Sequence, residues 1–381
     1  MKNILYIGHF DPEYKNAAWY RVSSNGKILN SLNYNVIYIG MNIKNKKITK
    51  KVNNQIILSY PNGFLQWISY LFKPDIFLKR IKGINNLNAI ILYDLPCVPF
   101  LIILFYCKKH KIKIYSDSTE WYGFQGVGFI DKLLKGIDSF VRMTYLNKKV
   151  DGLILVSKNL FNYYNSVKNK IFIPPLVDKK EKKWNINNIE NKELFDNVIK
   201  FIYFGEPGKT GKKDNLKKLI SVFYSLKHRD YILNIVGISI QDYLSINKKE
   251  KDFLSELKNK IFFYGRMNQP ETFKLLYKSD FTIFIRENNS INYYGFPTKF
   301  VESISMGIPV ITTRTSNLDE FLIDGYNGYF VKMENLRNDL EKILNLKKSD
   351  IYRLKNNINK SIFDIDNYKK DFKKMLKFKE C

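Results

Sequence analysis

The residues best suited to chemistry lie in the stretch Tyr293–Val331, where a glycine-containing loop precedes a short predicted helix. The helix is predicted over Thr298–Ser305, with Gly307 as its left-handed C-terminal cap and Pro309 preventing its continuation. A loop that opens onto a helix N-terminus presents unpaired N–H groups and a positive dipole, which suit a phosphate group. Glu302, one turn further on, is placed to accept hydrogen bonds from sugar hydroxyls. The stretch therefore predicts a site for a phosphate and a sugar.

The predicted helix has two different sides. On a helical wheel Phe300, Val301 and Ile304 fall on one side, and Lys299 and Glu302 fall on the other. The apolar side is expected to pack against a core, and the polar side is expected to serve the site.

The same stretch carries a family resemblance. Gly295-Phe296-Pro297, then a helix with Glu302, then Gly307-Ile308-Pro309-Val310-Ile311 resembles the donor-binding signature of retaining GT-B glycosyltransferases (family four, group 1). The resemblance implies that the loop amides hold a nucleotide diphosphate and that Glu302 binds the ribose. Eight positions before Glu302 the family has a glutamate that binds the donor sugar. This chain has Tyr294 there, so the contact to the sugar, and with it the identity of the sugar, is open.

A second phosphate-binding element is expected after the strand Lys200–Gly205. The family has an arginine directly after this strand and a lysine at the start of the next helix, and both clamp the donor phosphates. Here Glu206 occupies the arginine position, and Lys212 or Lys213 supplies the lysine. The run also contains Gly-Lys-Thr, but Tyr203 stands where a P-loop requires its first glycine, so a P-loop is not predicted.

Arg286 is predicted to restore the missing positive charge, because it follows the predicted strand Phe281–Ile285. The alternative is a surface arginine paired with Glu287. The predicted catalytic residues are therefore Lys213, Arg286 and Glu302. The predicted donor-binding residues are Lys212, Gly295, Phe296, Pro297, Thr298 and Lys299.

The acceptor side is expected in the N-terminal half. His9 follows the first predicted strand, Asn3–Gly8, although a structural role is somewhat favoured for a single histidine there. Arg21 resembles the arginine of the family's first helix, which lines the cleft. Glu120 is followed by Trp121-Tyr122, a run that resembles a subgroup of these transferases. The alternative for that loop is helix capping by Asp117 or Ser118.

Two strands with similar sequences indicate the architecture. Asn3–Gly8 (NILYIG) and Lys200–Gly205 (KFIYFG) each open a series of alternating strands and helices, which predicts an α/β protein with two Rossmann-like halves, the GT-B fold. The predicted boundaries are an acceptor domain at 1–178, a linker at 179–196 and a nucleotide-sugar domain at 197–350. Amphipathic helices at 351–381 are expected to cross back to the first domain, as the family's final helix does.

Composition limits the possible partners. The 381 residues are 45% hydrophobic with a formal net charge of +27, so the chain is globular and attractive to anions. The lysines are dispersed and no nucleic-acid-binding motif is present, which predicts an anionic membrane surface as a possible partner and no nucleic acid. Three cysteines do not form a disulfide framework, and Val98–Cys107 is too short to span a bilayer. A cytoplasmic protein is expected, possibly peripheral on the inner face of the plasma membrane.

The predicted reaction is transfer of a sugar from a nucleotide diphosphate to a glycan or lipid-linked acceptor, with retention and without a metal. No cofactor is expected besides the nucleotide sugar, whose base (UDP or GDP) is open. Asp364-Ile365-Asp366 is interpreted as a turn or solvated face and not as a metal site. Cell-surface polysaccharide synthesis is the setting that the family suggests. The alternatives are a sugar-nucleotide epimerase that uses His9, Asp117 and Glu120, and an inactive nucleotide-sugar-binding module.

Overall fold

A computed structural model describes residues 1–42, 50–59, 61, 66, 70, 75–121, 129–184, 198–208 and 214–377. The chain divides into two compact units. The N-terminal unit consists of Met1–Asp178, Tyr293–Phe296 and Asp364–Cys381, and the C-terminal unit consists of Lys179–Asn292 and Pro297–Phe363.

Each unit is built on a sheet flanked by helices. The strands are β1 (Lys2–Gly8), β2 (Tyr34–Asn42), β3 (Lys50–Val52), β4 (Gln55–Ser59), β5 (Leu87–Tyr93), β6 (Lys113–Ser118), β7 (Gly152–Leu155), β8 (Lys170–Phe172), β9 (Ile199–Phe204), β10 (Tyr231–Val236), β11 (Ile261–Gly265), β12 (Phe281–Phe284), β13 (Val310–Thr312) and β14 (Gly328–Phe330). The helices are α1 (Ala17–Ser31), α2 (Asp75–Lys82), α3 (Cys97–Lys109), α4 (Phe129–Thr144), α5 (Lys158–Tyr163), α6 (Leu216–Ser225), α7 (Ile240–Ile246), α8 (Lys251–Glu256), α9 (Gln269–Tyr277), α10 (Ser290–Tyr294), α11 (Thr298–Met306), α12 (Leu336–Leu344), α13 (Lys348–Asn356) and α14 (Lys369–Lys377). Short 3-10 helices cover Leu146–Lys149, Lys182–Trp184, Lys248–Glu250, Leu318–Glu320 and Ile365–Tyr368.

The two sheets share a central arrangement. The first has the order β3-β4-β2-β1-β5-β6-β7-β8, and the second has the order β11-β10-β9-β12-β13-β14. All pairings are parallel except β3 with β4. The strand order reverses at β1 and at β9, and ligands of open α/β sheets bind at the carboxyl ends of strands near such a switch point. The predicted fold of two Rossmann-like parallel sheets is confirmed.

The apolar run of β1 explains why helices cover both faces of the first sheet. Ile4 and Tyr6 belong to the core on one face, and Leu5 and Ile7 belong to the core on the other. A parallel strand buried on both faces is expected to read as a continuous apolar run, as Asn3–Gly8 does.

The helix predicted at Thr298–Ser305 is present as α11, one residue longer. Gly307 adopts the left-handed conformation (φ 77°, ψ 27°), and the amide of Ile308 donates to the Ser303 carbonyl at 2.9 Å. The positive φ of Gly307 favours glycine, because other residues rarely adopt this conformation. The predicted C-terminal cap is therefore confirmed.

The end of the chain belongs to the N-terminal unit. Phe372 and Met375 of α14 are buried in the same core cluster as Tyr6 of β1. Asp364 bridges Val177, and its side chain accepts a hydrogen bond from the amide of Asp366, so that it caps a turn. In the described part of the chain, no helix has both the length and the apolar character needed to cross a bilayer.

Candidate functional site

Positive-φ glycines shape the carboxyl edge of the second sheet. Gly205 follows β9 with φ 105°, and Gly237 follows β10 with φ 113°. A Cβ on Gly237 would lie 2.5 Å from the carbonyl oxygen of Gly205, and a Cβ on Gly205 would lie 3.5 Å from Cε of Lys299. The positive φ favours glycine at both positions, and at Gly237 the close approach of backbone also excludes a side chain. The loops after the two strands are thereby held against each other and beside Lys299.

A buried aspartate gathers the charged groups at this edge. Asp214, which is completely buried, accepts a hydrogen bond from Nε of Arg286 at 2.8 Å and from Nζ of Lys299 at 2.6 Å. The hydroxyl of Tyr203, on β9, donates to Oδ2 of Asp214 at 3.0 Å, and Lys299 contacts the same oxygen. Arg286 follows β12, and Lys299 lies in the first turn of α11. Three elements that are distant in sequence therefore converge on one carboxylate.

The centre carries an excess of positive charge, because two cations share one carboxylate. Burial raises the pKa of Asp214, but Lys299 and Arg286 outweigh burial and bring that pKa below its usual value. Asp214 is therefore ionised at neutral pH, and the group of three carries one net positive charge. A charge of this sign in a partly desolvated setting favours an anionic ligand.

Arg286 retains hydrogen-bonding capacity for such a ligand. Its backbone is fixed by Thr313, whose hydroxyl accepts from the Arg286 amide at 2.9 Å and donates to the Arg286 carbonyl at 2.7 Å. Within the described part of the chain, its two terminal guanidinium nitrogens have no hydrogen bond. A guanidinium fork with free N–H groups matches the geometry of a phosphate. The alternative of a surface arginine paired with Glu287 is wrong, because Arg286 is buried and bound to Asp214.

Lys299 departs from the helical-wheel expectation. Although it lies opposite Phe300 and Ile304, it is also buried, because Asp214 pairs with its ammonium group. Nζ lies 4.2 Å from the centroid of the Tyr203 ring, which provides a further favourable contact. Lys299 therefore helps to set the charge of the centre and is also anchored within it.

Glu302 lies one turn after Lys299 and is half-buried. Nε2 of Gln269, the first residue of α9, donates to its Oε1 at 3.0 Å, and Nζ of Lys183 donates to Oε1 of Gln269 at 3.2 Å. Burial raises the pKa of Glu302 to about 7, although Gln269, Lys183 and Lys299 oppose this shift. The carboxyl group therefore changes its protonation state close to neutral pH.

The lysines predicted to clamp the phosphates, Lys212 and Lys213, lie outside the described residues. Glu206, which occupies the family's arginine position, pairs with Nη2 of Arg266 at 2.9 Å in an exposed contact. Arginine side chains thus reach this edge from strands other than β9.

A cavity of about 850 Å³ is lined by residues that are chain neighbours of the ion-paired centre, and by residues of α6 and α7. Asn215 and Glu287, which line it, directly follow Asp214 and Arg286 in the chain, and Pro207 lines it from the loop after β9. Its volume lies in the range of small-molecule binding pockets, about 300–1,000 Å³.

Tyr294, at the position of the family's donor-sugar glutamate, groups with aromatic residues of the N-terminal unit. Its ring centroid lies 5.1 Å from that of Trp121 and 6.1 Å from that of Tyr163, and its carbonyl accepts from the Ser157 hydroxyl at 2.6 Å. Gly295 and Phe296, which follow it, are buried in the same unit. Pro297 and Thr298, which the resemblance also assigns to the donor, belong to the C-terminal unit, and Pro297 takes the N-cap position of α11 without a side-chain cap.

Arg21 is a structural residue in the N-terminal unit. It is buried, with Nε and Nη2 bound to Asp117 at 2.9 and 2.6 Å and Nη1 bound to the Ile173 carbonyl at 2.8 Å. Every guanidinium nitrogen of Arg21 is already used within this unit, and its role in lining a cleft stays a prediction. Capping of a helix by Asp117 is wrong, because Asp117 lies in β6 and pairs with Arg21.

His9 lies at the carboxyl end of β1, where it was predicted, and its Nε2 lies 3.0 Å from the Tyr70 hydroxyl. Burial lowers the pKa of His9 to about 4, so the imidazole is neutral at physiological pH. Glu120 is half-buried and is the second residue after β6, next to Thr119. Asp94, beside them, binds Arg142 at 2.6 Å and accepts a hydrogen bond from the Thr119 hydroxyl.

Sequence reasoning did not identify Asp214 and Tyr203 as parts of the site. Asp214 is the single acid that ends the lysine-rich run Lys209–Asp214, and a lone acid in such a run is a signal for an ion pair. Tyr203 carries a hydroxyl inside the largely apolar strand β9, and such a buried hydroxyl requires a partner. Neither signal identifies the partner.

Comparison with known proteins finds a family match in the C-terminal half of the chain and a fold match over nearly the whole chain. Residues 185–361, a little under half of the chain, match the family model "Glycosyl transferases group 1". An uncharacterized 41.2 kDa protein in the cps region of Klebsiella pneumoniae is 24% identical over 69% of this chain and 63% of its own length. An uncharacterized glycosyltransferase of Methanocaldococcus jannaschii is 26% identical over 60% of each chain. The matched regions thus span about three-fifths of these relatives.

A solved structure matches the fold over nearly its full length. The Anabaena protein HepE, in complex with UDP and glucose, superposes with a TM-score of 0.68 at 12% identity and covers 99% of both chains. A likeness at this identity establishes the fold and not the ligand. Together, the two parallel-sheet units and the structural neighbours show the GT-B fold, and residues 185–361 resemble the group 1 glycosyl transferases.

Proposed function

We propose that the protein transfers a sugar from a nucleoside diphosphate to a glycan or lipid-linked acceptor. The observation that carries this proposal is the Asp214 centre, in which Arg286 and Lys299 leave one net positive charge at the switch point of the second sheet. A nucleoside diphosphate is the leaving group of such a reaction, and it gains negative charge as the sugar departs. Preorganised cations that face this charge lower the barrier.

In the proposed mechanism, the terminal nitrogens of Arg286 bind the diphosphate, and Asp214 holds the guanidinium and Lys299 in place. Lys213 or Lys212, with the amides of the Gly295–Thr298 loop, adds further donors, as the resemblance of the sequence implies. These fixed charges take the place that a metal ion has in other transferases. The ionised form of Glu302 accepts hydrogen bonds from the ribose hydroxyls.

The remaining features of the proposal rest on the sequence resemblance. The anomeric configuration is retained, and the setting is assembly of a cell-surface polysaccharide at an anionic membrane. HepE is a structural neighbour that binds UDP, which is compatible with a nucleotide-sugar donor. His9 and Glu120 are proposed on the acceptor side, where the neutral imidazole of His9 is able to exchange hydrogen bonds with a hydroxyl group.

The epimerase alternative loses one of its three groups. Asp117 is completely buried and bound by Arg21, Tyr6 and Asn25, so it is not available as an acid or base. No other observation favours this alternative over transfer.

The proposal is tested by incubating the full chain with radiolabelled UDP- and GDP-sugars and a lipid-linked acceptor extract, with and without a chelator. We expect labelled acceptor from at least one donor, at a rate that the chelator leaves unchanged. Conversion of the donor to its epimer, or binding of a donor without any turnover, would contradict transfer. A matched reaction with Arg286→Met separates enzyme-dependent transfer from contamination.

A further inference from the structure

Helix α4 of the N-terminal unit exposes its apolar side. Leu133, Leu134, Ile137 and Phe140 are exposed, and Leu134 and Phe140 each have 57% of their surface accessible. Leu133, Ile137 and Phe140 follow one another at intervals of four and three residues, so they form a stripe along one side of the helix. A helix that packs with its apolar side against a core would bury these residues.

The opposite side of α4 is the side that packs, and it combines the apolar Met143 with polar residues. Ser139 and Arg142 are buried. Arg142 donates to Asp94 at 2.6 Å, and Asp138 accepts from the amide of Cys97 at 2.6 Å. These contacts fix the rotation of the helix about its axis. The outward direction of the apolar stripe is therefore built into the fold.

The neighbouring helix α3 extends this surface. The two helices contact each other, and Leu101 and Phe105 of α3 are also exposed, Phe105 to 65%. Lys108 and Lys109, one turn further along α3, are exposed as well. Exposed apolar side chains thus lie on two helices that contact each other, and exposed lysines lie at the end of α3.

The charges around the stripe favour an anionic partner. Lys132 on α4, Lys148 and Lys149 just after it, and the lysines at the end of α3 are all exposed. The whole chain has a formal net charge of +27. An apolar stripe flanked by lysines is the pattern of helices that lie in the interface of an anionic bilayer.

We propose that the α3–α4 face, formed by Leu101, Phe105, Leu133, Leu134, Ile137 and Phe140 with the flanking lysines, inserts into the surface of a membrane that contains anionic phospholipid. The apolar side chains enter the boundary between headgroups and acyl chains, and the lysines bind lipid phosphates. The expectation from composition was a diffuse attraction by dispersed lysines. The structure assigns the contact to one face, and this assignment does not depend on the transfer reaction.

The test compares two double variants with the same change of net charge. Ile137→Glu/Phe140→Glu alters the α3–α4 face. Ile323→Glu/Tyr352→Glu is the matched control, because Ile323 and Tyr352 of the C-terminal unit are at least as exposed (58% and 63%) as Ile137 and Phe140 (48% and 57%). Partition to phosphatidylcholine vesicles, with and without phosphatidylglycerol, is measured by co-sedimentation, and circular dichroism melts verify that both variants fold.

We expect the Ile137/Phe140 variant to lose binding to phosphatidylglycerol vesicles by at least about ten-fold, while the control binds as the wild type does. Lys108→Gln/Lys109→Gln, which leaves the apolar stripe intact, is expected to weaken binding at low salt only. Equal losses in the two Glu variants would overturn the proposal. So would equal binding of the wild type to vesicles that lack phosphatidylglycerol, or a lipid-free dimer that Ile137→Glu/Phe140→Glu dissociates in ultracentrifugation.

Discussion

Each unit contains a buried aspartate held by a tyrosine from its central strand. Tyr6 of β1 donates to Asp117 at 2.5 Å, and Tyr203 of β9 donates to Asp214 at 3.0 Å. The two tyrosines occupy the same position in the similar runs NILYIG and KFIYFG, two residues before the glycine. An arginine completes each centre. The same local pattern therefore occurs in both halves of the chain.

The two arginines differ in what they leave available. Arg21 uses all three of its nitrogens inside the N-terminal unit, and Asp117 balances its charge. Arg286 uses only Nε among the described residues, and Lys299 adds a second cation to the same carboxylate. The first centre is neutral and saturated, whereas the second has a net positive charge and unused donors.

The pKa shifts follow the number of cations. Burial raises the pKa of both carboxyl groups. One arginine does not overcome this effect at Asp117, whose pKa stays above its usual value, but two cations overcome it at Asp214. A buried aspartate is thus a structural anchor when its partner is saturated, and it supports a binding site when its partners retain donors.

The largest expected effect is on stability, and it distinguishes the two arginines. Arg21→Met removes the cation that pairs with buried Asp117, and no other described residue supplies one, so we expect a loss of about 3–5 kcal/mol in the free energy of unfolding. Arg286→Met leaves Asp214 paired with Lys299 and is expected to cost less. Denaturant unfolding of both variants measures the difference. Equal losses would show that the two centres do not differ as described.

The next effect is on catalysis, where we expect Arg286→Met to be more damaging than Arg21→Met. Arg286→Met is expected to lower the rate of sugar transfer by about 100- to 1,000-fold, because it removes donors that face the developing charge. Arg286→Lys, which keeps the charge without the fork, should recover part of the rate. Arg21→Met should leave turnover per folded molecule unchanged. Normal turnover by Arg286→Met would exclude this residue from the reaction.

A smaller effect is the pH dependence of nucleotide affinity, which we expect to arise from Glu302 of the C-terminal unit. The ionised form of Glu302 is the one that accepts hydrogen bonds from hydroxyls, and its pKa is raised to about 7. Nucleotide affinity is therefore expected to rise by up to about ten-fold per pH unit below 7 and to level off above it. The same raised pKa means that the stability contributed by Glu302 is complete below its unfolded value and is lost as pH rises through 7.

Glu302→Gln is the control for this pH dependence, since the amide does not titrate. Titration calorimetry between pH 6 and 8 should give a flatter profile for the variant than for the wild type. Parallel profiles would assign the pH dependence to the nucleotide phosphates.

The smallest effect is on unfolding free energy, and it tests whether Tyr6 and Tyr203 have the same role in their two units. Tyr6→Phe and Tyr203→Phe each remove one hydrogen bond to a buried aspartate, and each is expected to cost about 1 kcal/mol of unfolding free energy. Thermal melts of the two variants provide the comparison. A loss confined to one variant would mean that only one of the tyrosines supports its aspartate.

Local features of the fold were predictable from the sequence. The apolar runs around Ile4 and Phe201 predicted the central strands, and Gly307 and Pro309 predicted where α11 ends. These features depend on residues that are neighbours in the chain. The strands β3 and β4 and the helix α2 were not predicted, because their apolar patterns are short. Helix α4 was not predicted either, although its apolar residues recur at helical spacing.

The long-range pairings of the site were not predictable. Asp214 and Lys299 are 85 positions apart, and no pattern in either segment identifies the other. Lys299 was expected to serve the ligand directly, but the structure binds it to Asp214. Arg21 was expected to line a cleft, but Asp117 and the Ile173 carbonyl saturate it. Which cation meets which carboxylate depends on tertiary packing, so a single sequence does not reveal it.

The central claim is that the Asp214 centre, and not the Asp117 centre, binds a diphosphate. Calorimetric titration of UDP and GDP into the wild type, Arg286→Met and Arg21→Met tests it directly. The account predicts that at least one nucleotide binds, that Arg286→Met weakens its affinity by at least about ten-fold, and that folded Arg21→Met binds as the wild type does. Unchanged affinity in Arg286→Met would contradict it.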